Sequence, residues 1–323
     1  MHTRRSILKG TATALVAASS MPVISTLAAA KAPFAEVQAP AFYRMKVGSI
    51  EVTALSDGTI PIPLASLYTN TTDEHAQSAL AAAFQGTQSE TSVNAFLINT
   101  GERLVLIDAG TGSYLGPKLG KLIRNIEASG YKASDIDDVI LTHIHTDHSG
   151  GLSADGERLF ANAVVRVNKR DVDFWLDPAK RERATGPLKN QFVEAQQSLA
   201  PYLDAGRLET FDDDVAPVAG IGSILRSGHT PGHSSLVIES EREKMVFWGD
   251  ITHGDVLQFD EPGVAIEFDV DQQKAVEARR AAFVEAASER YWVAGAHIAF
   301  PGIGHLRTDD TNYDWVPVNY TAG

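Results

Sequence analysis

The stretch LTHIHTDHSGG, residues Leu141–Gly151, carries the strongest signal in this sequence. It places three of the chain's ten histidines and one aspartate within six positions. The run DDVIL, which ends at Leu141, predicts a strand that leads into this stretch. The two glycines at its end, Gly150 and Gly151, predict a tight turn at the end of the loop. His143 and His145 are two residues apart, so in an extended segment their rings leave on the same side and can bind one metal ion. Asp147 and His148 follow the start of the turn and can point to a second metal position.

Further candidate metal ligands recur at the ends of other predicted strands. The chain contains no cysteine, which leaves His, Asp and Glu as its metal ligands and excludes disulfides and thiolate nucleophiles. A lone histidine is more often a core or surface residue than a ligand, but a repeated pattern at strand ends favours ligands. A catalytic metal needs about three protein ligands plus water. Four candidates on one loop, with others at His229, Asp250 and His297, exceed the need of one ion and suffice for two.

The sequence also contains a weak internal repeat. Ser92–Gly110 and Ser234–Asp250 each predict two apolar strands around a polar turn, ending at Asp108 and Asp250 respectively. A helical segment follows each hairpin, and an apolar strand that ends in histidine follows each helix. Because functional groups concentrate at strand ends and in the loops after them, two such halves facing each other would bring their ligands to one edge.

We therefore predict an α/β fold in which mixed sheets pack face to face, with helices outside. The strand-rich segment at 42–60 is expected to open the first sheet. Helices are predicted over 73–84, 115–130, 190–203 and 271–290.

The first thirty residues have the character of an export signal. The adjacent Arg4 and Arg5 precede a moderately apolar run and a small-residue tract, as in twin-arginine signals. We predict a signal peptide over 1–30, cleaved near Ala30, and a single domain over 31–323. The chain is accordingly expected to be periplasmic or secreted, without a membrane anchor once the signal is removed. An uncleaved N-terminal anchor is the alternative.

The charge of the chain limits its partners. The signal contains three cations, Arg4, Arg5 and Lys9, and no acid, so its removal takes the net charge from −13 to −16. Because a domain with this negative net charge repels phosphate backbones, nucleic acid is not expected as a partner. A neutral or cationic small molecule fits this charge better.

The motif THIHTDHSGG is similar to the HxHxDHxGG motif of the metallo-β-lactamase superfamily. The likeness continues through GHTPGH at 228–233, FWGD at 247–250 and GAHIAFPGIGH at 295–305. This resemblance implies an αββα sandwich built from two similar halves related by a pseudo-two-fold. It also implies two metal sites, with His143, His145 and His229 on the first ion, Asp147, His148 and His297 on the second, and Asp250 bridging both.

Two further residues receive roles from the same resemblance. Asp108 stands where the superfamily keeps an aspartate that orients the ligand loop. His233 is expected to support the site rather than to bind a metal. The His and Asp ligands suit Zn²⁺ best, although iron, manganese or cobalt could occupy the same positions.

The expected chemistry follows from a pair of divalent ions. Two ions roughly 3.5–4 Å apart can share a water, lower its pKa toward neutrality and use the resulting hydroxide as nucleophile. The same ions can stabilise the charge that develops on a carbonyl or phosphoryl oxygen. Asp250 would bridge the ions, and Asp147 could pass a proton to the leaving group.

Within the superfamily, the sequence most resembles methyl parathion hydrolase and related secreted lactone and aryl-ester hydrolases. The likeness includes YRMKVGSIEVTALSDGT, ETSVNAFLINTG and NAVVRVNKRDVDFWL. It implies a homodimer and an apolar, aromatic substrate pocket. Trp175 matches a pocket wall, and Leu115, Phe192 and Leu67 fall near other pocket positions. Ordinary core packing explains these four residues equally well.

Departures from the organophosphate-adapted enzymes favour a lactone or aryl-ester hydrolase. Those enzymes carry an aliphatic residue at the position of His253 and a basic residue at that of Leu67. His253 adds a polar group that could meet an ester oxygen, while the bulkier Ile266 and Phe268 leave less room for a tetrahedral phosphotriester. Phosphotriester cleavage is expected as a side activity, and a dedicated phosphotriesterase is the alternative.

Other functions have weaker support from the sequence. Acyl homoserine lactones are one possible lactone substrate, and a non-catalytic metal-binding protein is a further alternative. β-Lactam hydrolysis is disfavoured because the commonest zinc β-lactamases place cysteine at the Asp250 position. A glyoxalase-type thioesterase is disfavoured by the predicted export, and RNA processing by the negative charge.

Overall fold

The structure, a computed structural model, describes residues 32, 34–35, 38–309 and 312–322. The proposed signal over 1–30 lies outside the described residues, and the domain boundary at residue 31 stays a prediction. Residues from Pro40 onward form one compact unit, which contains every element named below.

The strands fall into two large sheets and two short pairs. In chain order they are β1 Phe42–Val47, β2 Ile50–Ile62, β3 Tyr68–Thr69, β4 Ser89–Asn99, β5 Leu104–Ile107, β6 Asp138–Ile140, β7 Ser153–Ala154, β8 Glu157–Arg158, β9 Val164–Asn168, β10 Leu208–Phe211, β11 Gly222–Leu225, β12 Ser234–Ser240, β13 Glu243–His253, β14 Ala265–Ile266, β15 Trp292–His297, β16 Ile303–Asp309 and β17 Asn312–Pro317. The first sheet has the order β1-β2-β4-β5-β6-β9-β10, and the second has the order β11-β12-β13-β15-β16-β17.

The α-helices of the described residues connect these strands. They are α1 Leu64–Leu67, α2 Asp73–Ala82, α3 Leu122–Ala128, α4 Thr146–Ser149, α5 Lys169–Trp175, α6 Pro178–Arg183, α7 Gly186–Asp204, α8 Leu257–Asp260 and α9 Gln272–Glu289. In this part of the chain, none of the helices is both long and apolar enough to cross a bilayer.

The internal repeat of the sequence has a structural counterpart. In the first sheet β4 and β5 form an antiparallel hairpin, and β6 then pairs parallel to β5. In the second sheet β12 and β13 form an antiparallel hairpin, and β15 pairs parallel to β13. Helix α3 lies between the second and third strands of the first unit, and α9 lies between those of the second. The predicted order of hairpin, helix and strand is confirmed in both units. The expectation that each last strand ends in histidine holds for β15 but is wrong for β6, which ends at Ile140 before His143.

The two sheets pack face to face, and helices cover their outer faces. In β4, alternate side chains point to opposite sides, as the period of a strand requires. Phe96 packs against Phe247 of β13 with ring centroids 5.3 Å apart, whereas Leu97 joins the core beneath α3 and α7. The next residue of β13, Trp248, stacks on Phe283 of α9. The order of layers is therefore helix, sheet, sheet, helix, as predicted.

One predicted helix is shorter than expected. The segment 115–130 is helical only over α3, because Pro117 and the glycines around it form a turn before Leu122. Gly120 has φ +72, and a Cβ there would lie 2.3 Å from a backbone oxygen. Asp57 accepts the backbone N–H of Leu122 at 3.0 Å and so satisfies a free donor at the start of the helix.

Asn94 connects the two sheets near the ligand-bearing edge. Its side chain is buried, and Nδ2 donates to the carbonyl oxygens of Gly295 at 3.1 Å and Ile298 at 2.8 Å. These residues flank His297, the last residue of β15. The position of that histidine therefore depends on a contact with the first sheet.

Candidate metal centre

The seven predicted ligands come from four separate segments that meet at one edge of the sheets. His143 and His145 lie on the loop after β6, Asp147 and His148 lie in α4, His229 lies between β11 and β12, Asp250 lies within β13, and His297 ends β15. Six of the seven are buried, and Asp147 retains 23% side-chain exposure.

The ligand atoms proposed for the first ion converge. His145 Nδ1 lies 3.1 Å from His143 Nε2 and 2.9 Å from His229 Nε2. His229 Nε2 in turn lies 3.1 Å from Asp250 Oδ2. One atom from each of these four residues fits within a group whose members are all within 4.8 Å of one another. Two nitrogens on one tetrahedral zinc are about 3.3 Å apart for bonds of about 2.0–2.1 Å, so this spacing suits a single ion.

The ligands proposed for the second ion form a neighbouring group. Asp147 Oδ2 lies 3.2 Å from His297 Nε2 and 3.7 Å from His148 Nε2, and the three residues meet the same 4.8 Å limit. Asp250 lies between the groups, with Oδ1 3.0 Å from His148 Nε2 and Oδ2 3.2 Å from His297 Nε2. It is therefore placed to contribute to both.

Two buried atoms of this cluster fit a bound cation better than they fit the protein alone. His148 Nε2 and Asp250 Oδ1 are both inaccessible to solvent, and they lie 3.0 Å apart as an ion-pair contact. Neither atom makes a hydrogen bond within the described residues, and buried polar atoms without hydrogen bonds are costly. A cation held by both atoms would satisfy them, so the donor set fits metal ions at these positions.

The protonation of the cluster supports the same conclusion. Burial opposes a positive charge on His229, but the carboxylates of Asp250 and Asp269 outweigh it and raise the pKa of His229 to about 9. Burial likewise opposes a charge on His297, yet Asp250 and Asp147 raise its pKa to about 10. The carboxylates therefore create a strong demand for positive charge, which protons meet when no metal is bound.

The pKa values of the other three candidate histidine ligands shift in different directions, according to the charges nearest to each ring. Burial lowers the pKa of His143 and His145 well below the ordinary value, and neighbouring histidines lower it further. For His148, burial also acts against the charge, but Asp250 and Asp108 outweigh it and raise the pKa. Neutral imidazole is the form that binds metals, so His143 and His145 already have the required state.

Hydrogen bonds to Nδ1 orient the three histidines whose Nε2 atoms face the cluster. Asp108 accepts from His148 Nδ1 at 2.8 Å and, as predicted, also contacts the ligand loop through the backbone N–H of Thr142. Asp269 lies 2.9 Å from His229 Nδ1, and the carbonyl oxygen of Ser92 lies 2.8 Å from His297 Nδ1. Such partners fix ring orientation and the tautomer that presents Nε2 to a metal.

Asp171 connects the two loops that carry the first ligand set. Its buried carboxylate accepts hydrogen bonds from the backbone N–H of Ile144 at 2.8 Å, the hydroxyl of Thr230 at 2.9 Å and the backbone N–H of Gly232 at 2.6 Å. Burial raises the pKa of Asp171 to about 6, although these three donors oppose the shift. The contact is so close that a Cβ on Gly232 would lie 2.6 Å from the Asp171 backbone nitrogen.

His233 contacts the backbone of Asp250 rather than its carboxylate. Its Nε2 accepts the backbone N–H of Asp250 at 2.9 Å, and its Nδ1 faces the carbonyl oxygen of Arg226 at 3.2 Å. Burial lowers the pKa of His233 to about 3, which keeps the ring neutral as an acceptor at Nε2. Gly249 has φ +58, and a Cβ there would lie 2.6 Å from His233 Nε2.

A cavity of about 410 Å³ opens beside the candidate ligands. Its apolar wall comes from the end of β2, from α1 and from the loop before α3, and its polar wall comes from α7. The lining residues are Ile60, Pro61, Ile62, Pro63, Leu67, Leu115, His145, Thr146, Asp147, Pro187, Asn190, Gln191, Glu194, His229, Asp250, His253, Phe268 and His297.

Four of the seven predicted pocket residues line this cavity, namely Leu67, Leu115, His253 and Phe268. The other three do not. Trp175 and Phe192 are fully buried against each other in the core beneath α7, although the Trp175 ring also meets the His145 ring edge at 5.2 Å. Ile266 is buried in a core around α1 and α2. Tight packing removes these three side chains from the cavity surface.

His253 lies closer to the ligand cluster than its sequence position indicated. Its Nε2 lies 3.1 Å from Asp250 Oδ2, and its ring stacks on that of His297 with centroids 5.3 Å apart. Since a carboxylate only accepts, His253 Nε2 is the donor in this contact. His253, Asp250 and His297 also form a third group of potential ligand atoms.

Comparison with known proteins agrees with this geometry. Residues 89–291, which include all seven candidate ligands except His297, match the Metallo-beta-lactamase superfamily. The chain belongs to this superfamily.

Several curated relatives are named as lactonases, and others as probable metallo-hydrolases. An N-acyl homoserine lactonase of Bacillus cereus is 23% identical over 170 residues, covering 47% of this chain and 60% of the lactonase. An N-acyl homoserine lactonase of Bacillus thuringiensis is 24% identical over the same length. The chain thus spans only about 60% of the length of the curated relatives it matches.

Solved structures of the superfamily cover more of the chain. Hydrolase AbOPH of the beta lactamase superfamily is 36% identical with a TM-score of 0.83, covering 88% of this chain and 100% of AbOPH. AidC, a dizinc quorum-quenching lactonase, is 26% identical with a TM-score of 0.80, covering 87% of this chain and 99% of AidC. The Bacillus relatives are lactonases rather than methyl parathion hydrolases, so the narrower likeness predicted from the sequence does not follow from these matches.

Proposed function

We propose that this protein is a two-metal hydrolase of lactones and aryl esters. One observation carries the proposal. Two groups of His and Asp side chains lie next to each other, Asp250 stands between them, and both line a cavity that has an apolar wall. A structural metal site is usually closed by four protein ligands, whereas a catalytic site leaves room for water and substrate. The partly exposed carboxylate of Asp147, which lines the cavity, supports the second class.

Zinc is the metal that we propose for both positions, because imidazole and carboxylate donors at tetrahedral spacing suit it. The name of AidC records two zinc ions in that relative. When bound, such a pair would activate a water as nucleophile and polarise the carbonyl of the substrate. His143, His145 and His229 would hold one ion and Asp147, His148 and His297 the other, with Asp250 contributing to both.

The chain's own residues would then bind the substrate and move its protons. Asp147 lines the cavity and keeps 23% side-chain exposure, so its carboxyl can reach the leaving oxygen of a bound ester. We assign it the transfer of a proton to that oxygen. Asp250 is buried and surrounded by histidines, which suits a fixed ligand rather than a proton carrier.

The cavity favours a planar ester or lactone over a phosphotriester. His253 offers a polar ring beside the candidate ligands, and Leu67 stands in the wall without a basic group. The lactonase relatives support lactones, and their names specify acyl homoserine lactones. We add aromatic lactones such as dihydrocoumarin as candidates on the ground of the apolar wall. We keep phosphotriester cleavage as a side activity, because a pair of bound ions could also stabilise charge on a phosphoryl oxygen.

The decisive experiment measures kcat/KM of the zinc-loaded protein on four substrate classes: acyl homoserine lactones, aromatic lactones, aryl esters and phosphotriesters. We expect a lactone or an aryl ester to lead. A phosphotriester that led by orders of magnitude would reverse the assignment to a dedicated phosphotriesterase. Two bound metals without hydrolysis of any class would instead favour a metal-binding protein.

We also propose that the protein works as an exported homodimer. The twin-arginine pattern at Arg4 and Arg5 supports export, and the family resemblance supports the dimer. Because twin-arginine cargo crosses the membrane folded, the metals would be loaded in the cytoplasm. Light scattering of the processed protein and fractionation of expressing cells test the two parts.

A further inference from the structure

The cavity beside the candidate metal centre contains one carboxylate that belongs to neither ligand group. Three carboxylate side chains line it, and two of them, Asp147 and Asp250, are candidate ligands. The third is Glu194, which projects from α7 one turn after Asn190 and so lies on the same helical face. Together with Gln191, these residues form a polar wall opposite the apolar one.

Within the described residues, Glu194 has no cationic partner. No lysine or arginine lines the cavity, and none forms an ion pair with Glu194. Its one side-chain hydrogen bond comes from the hydroxyl of Thr146, which donates to Oε2 at 2.6 Å. Glu194 is half-buried, and a carboxylate partly removed from water without a countercharge is unfavourable. A positive group in the cavity would relieve that cost.

The walls of the cavity therefore differ in the groups that they can accept. The residues at 60–63, with Leu67, Leu115 and Phe268, suit hydrocarbon, whereas Glu194 suits a cation or a hydrogen-bond donor. On the α7 wall, an anionic substituent would meet the negative charge of Glu194, with which no lysine or arginine of the described residues pairs. The proposed metal ions would lie at the ligand groups, and an anionic group would be drawn there instead. The acidity of the whole chain, with net charge −13, favours cations further.

We propose that Glu194, together with Asn190 and Gln191, forms a subsite for a positively charged substituent of the substrate. The preferred substrate is then an ester or lactone that combines an apolar portion with a cationic group such as an ammonium. This inference rests on the proposed hydrolase function and adds a substrate class to it. Glu194 acts as a determinant of specificity and takes no part in bond cleavage.

The test compares two esters that differ only in charge. The 4-nitrophenyl ester of 4-(trimethylammonio)butanoate carries a quaternary nitrogen where the ester of 5,5-dimethylhexanoate carries carbon, and both release the same phenol. The measured quantity is the ratio of kcat/KM for the cationic ester to that for the neutral ester. The variant is Glu194→Gln, which removes the charge, keeps one oxygen acceptor for Thr146 and turns the other oxygen into an amide donor.

We expect Glu194→Gln to lower the ratio about fivefold, as for loss of a charge interaction at a half-buried site. The change should lie mainly in KM and should shrink in about 0.5 M salt. The matched control is Glu127→Gln, which removes an equal charge from an exposed position on α3 outside the cavity. It is expected to leave the ratio unchanged.

Two results would overturn the subsite. The first is an unchanged ratio in Glu194→Gln; if kcat/KM falls equally for both esters, Glu194 is reduced to an anchor for Thr146. The second is an equal shift in the Glu127→Gln control, which would assign the effect to overall charge.

A binding measurement separates the subsite from the proposed hydrolase function. If neither ester is hydrolysed, the hydrolase function fails. Calorimetry with 4-(trimethylammonio)butan-1-ol and 5,5-dimethylhexan-1-ol, the alcohols that keep the two acyl chains, still decides the subsite. Tighter binding of the cationic alcohol by the native protein, lost in Glu194→Gln, supports the subsite. Equal binding of both alcohols contradicts it.

Discussion

The carboxylate of Asp171 accepts a 2.8 Å hydrogen bond from the backbone N–H of Ile144, at the centre of the HxH ligand motif. Through Thr230 and Gly232 the same carboxylate contacts the loop that presents His229. One buried side chain therefore fixes the relative positions of two loops that are far apart in the sequence.

We expect Asp171→Asn to lower metal affinity by about 10–100-fold, the usual cost of losing a residue that orients metal ligands. The amide keeps the size of the side chain but turns one acceptor into a donor, which then faces N–H or O–H donors. Competition titration with a chromophoric chelator measures the affinity, and metal analysis gives the number of ions per chain.

Asp138 provides the matched control for this substitution. It is equally buried and forms ion pairs with Arg103 and Arg166, but at the start of β6 rather than beyond its end. Asp138→Asn should lower the free energy of unfolding by several kcal/mol, roughly 3–5 for a broken buried pair, while the folded protein keeps its metal affinity. An equal loss of metal affinity in both variants would contradict a specific role for Asp171.

Asp147→Asn is expected to lower kcat most for substrates with poor leaving groups. A general acid contributes about 10²–10⁴-fold, and its contribution grows as the leaving oxygen becomes more basic. A series of aryl acetates with phenols of increasing pKa measures the dependence. A uniform loss across the series would leave Asp147 with a ligand role only.

His253→Leu should raise phosphotriester turnover relative to ester turnover. The substitution removes the hydrogen bond to Asp250 and a polar group from the cavity wall, and it makes that wall more like those of the organophosphate-adapted enzymes. Paraoxon and 4-nitrophenyl acetate release the same phenol, so the ratio of their kcat/KM values isolates the acyl or phosphoryl part. The ratio would stay constant if His253 played no part in this choice.

The metal-free protein should lose stability as the pH rises from about 7 to 10. The folded pKa values of His229 and His297, about 9 and about 10, lie above the ordinary value of 6.5. The resulting stabilisation is complete below pH 6.5 and disappears as the pH passes through the folded values. Bound metals replace these protons, so the loaded protein should not show this loss.

Urea unfolding of both forms at several pH values measures the effect. Lysines and tyrosines titrate in both forms, so their contribution cancels when the free energies of unfolding of the metal-free and metal-loaded forms are subtracted. Parallel curves for the two forms would contradict the expected proton–metal exchange.

The sequence predicted those features that depend on local pattern. Hairpins and helices follow from period and turn chemistry. Motif spacing identified the candidate ligands, and the family resemblance identified Asp108, which contacts His148 and Thr142. No local sequence pattern predicts the contacts of Asp171, Asp269 and Glu194. Each of these side chains contacts a segment that only tertiary packing brings near it. Asp171 lies within a stretch that resembles relatives, but nothing in that stretch indicates its partners.

The pocket was the least predictable part of the site. Trp175 and Phe192 are apolar and aromatic, a composition shared by a pocket wall and by a core. Trp175 and Phe192 differ from Leu115 and Leu67 in burial. Neighbouring helices cover Trp175 and Phe192 completely, whereas Leu115 and Leu67 line the cavity. Burial of that kind depends on the whole packing of α5 and α7.

Each ligand group takes two residues from the first half of the chain and two from the second, with Asp250 counted in both. Neither half alone can then hold an ion, and metal binding stabilises only the fully assembled chain. Free metal at about 100 times its Kd would add about 2.7 kcal/mol per site to the free energy of unfolding. Metal supply would thus set the lifetime of the protein, because molecules left unloaded are the ones that proteases remove first.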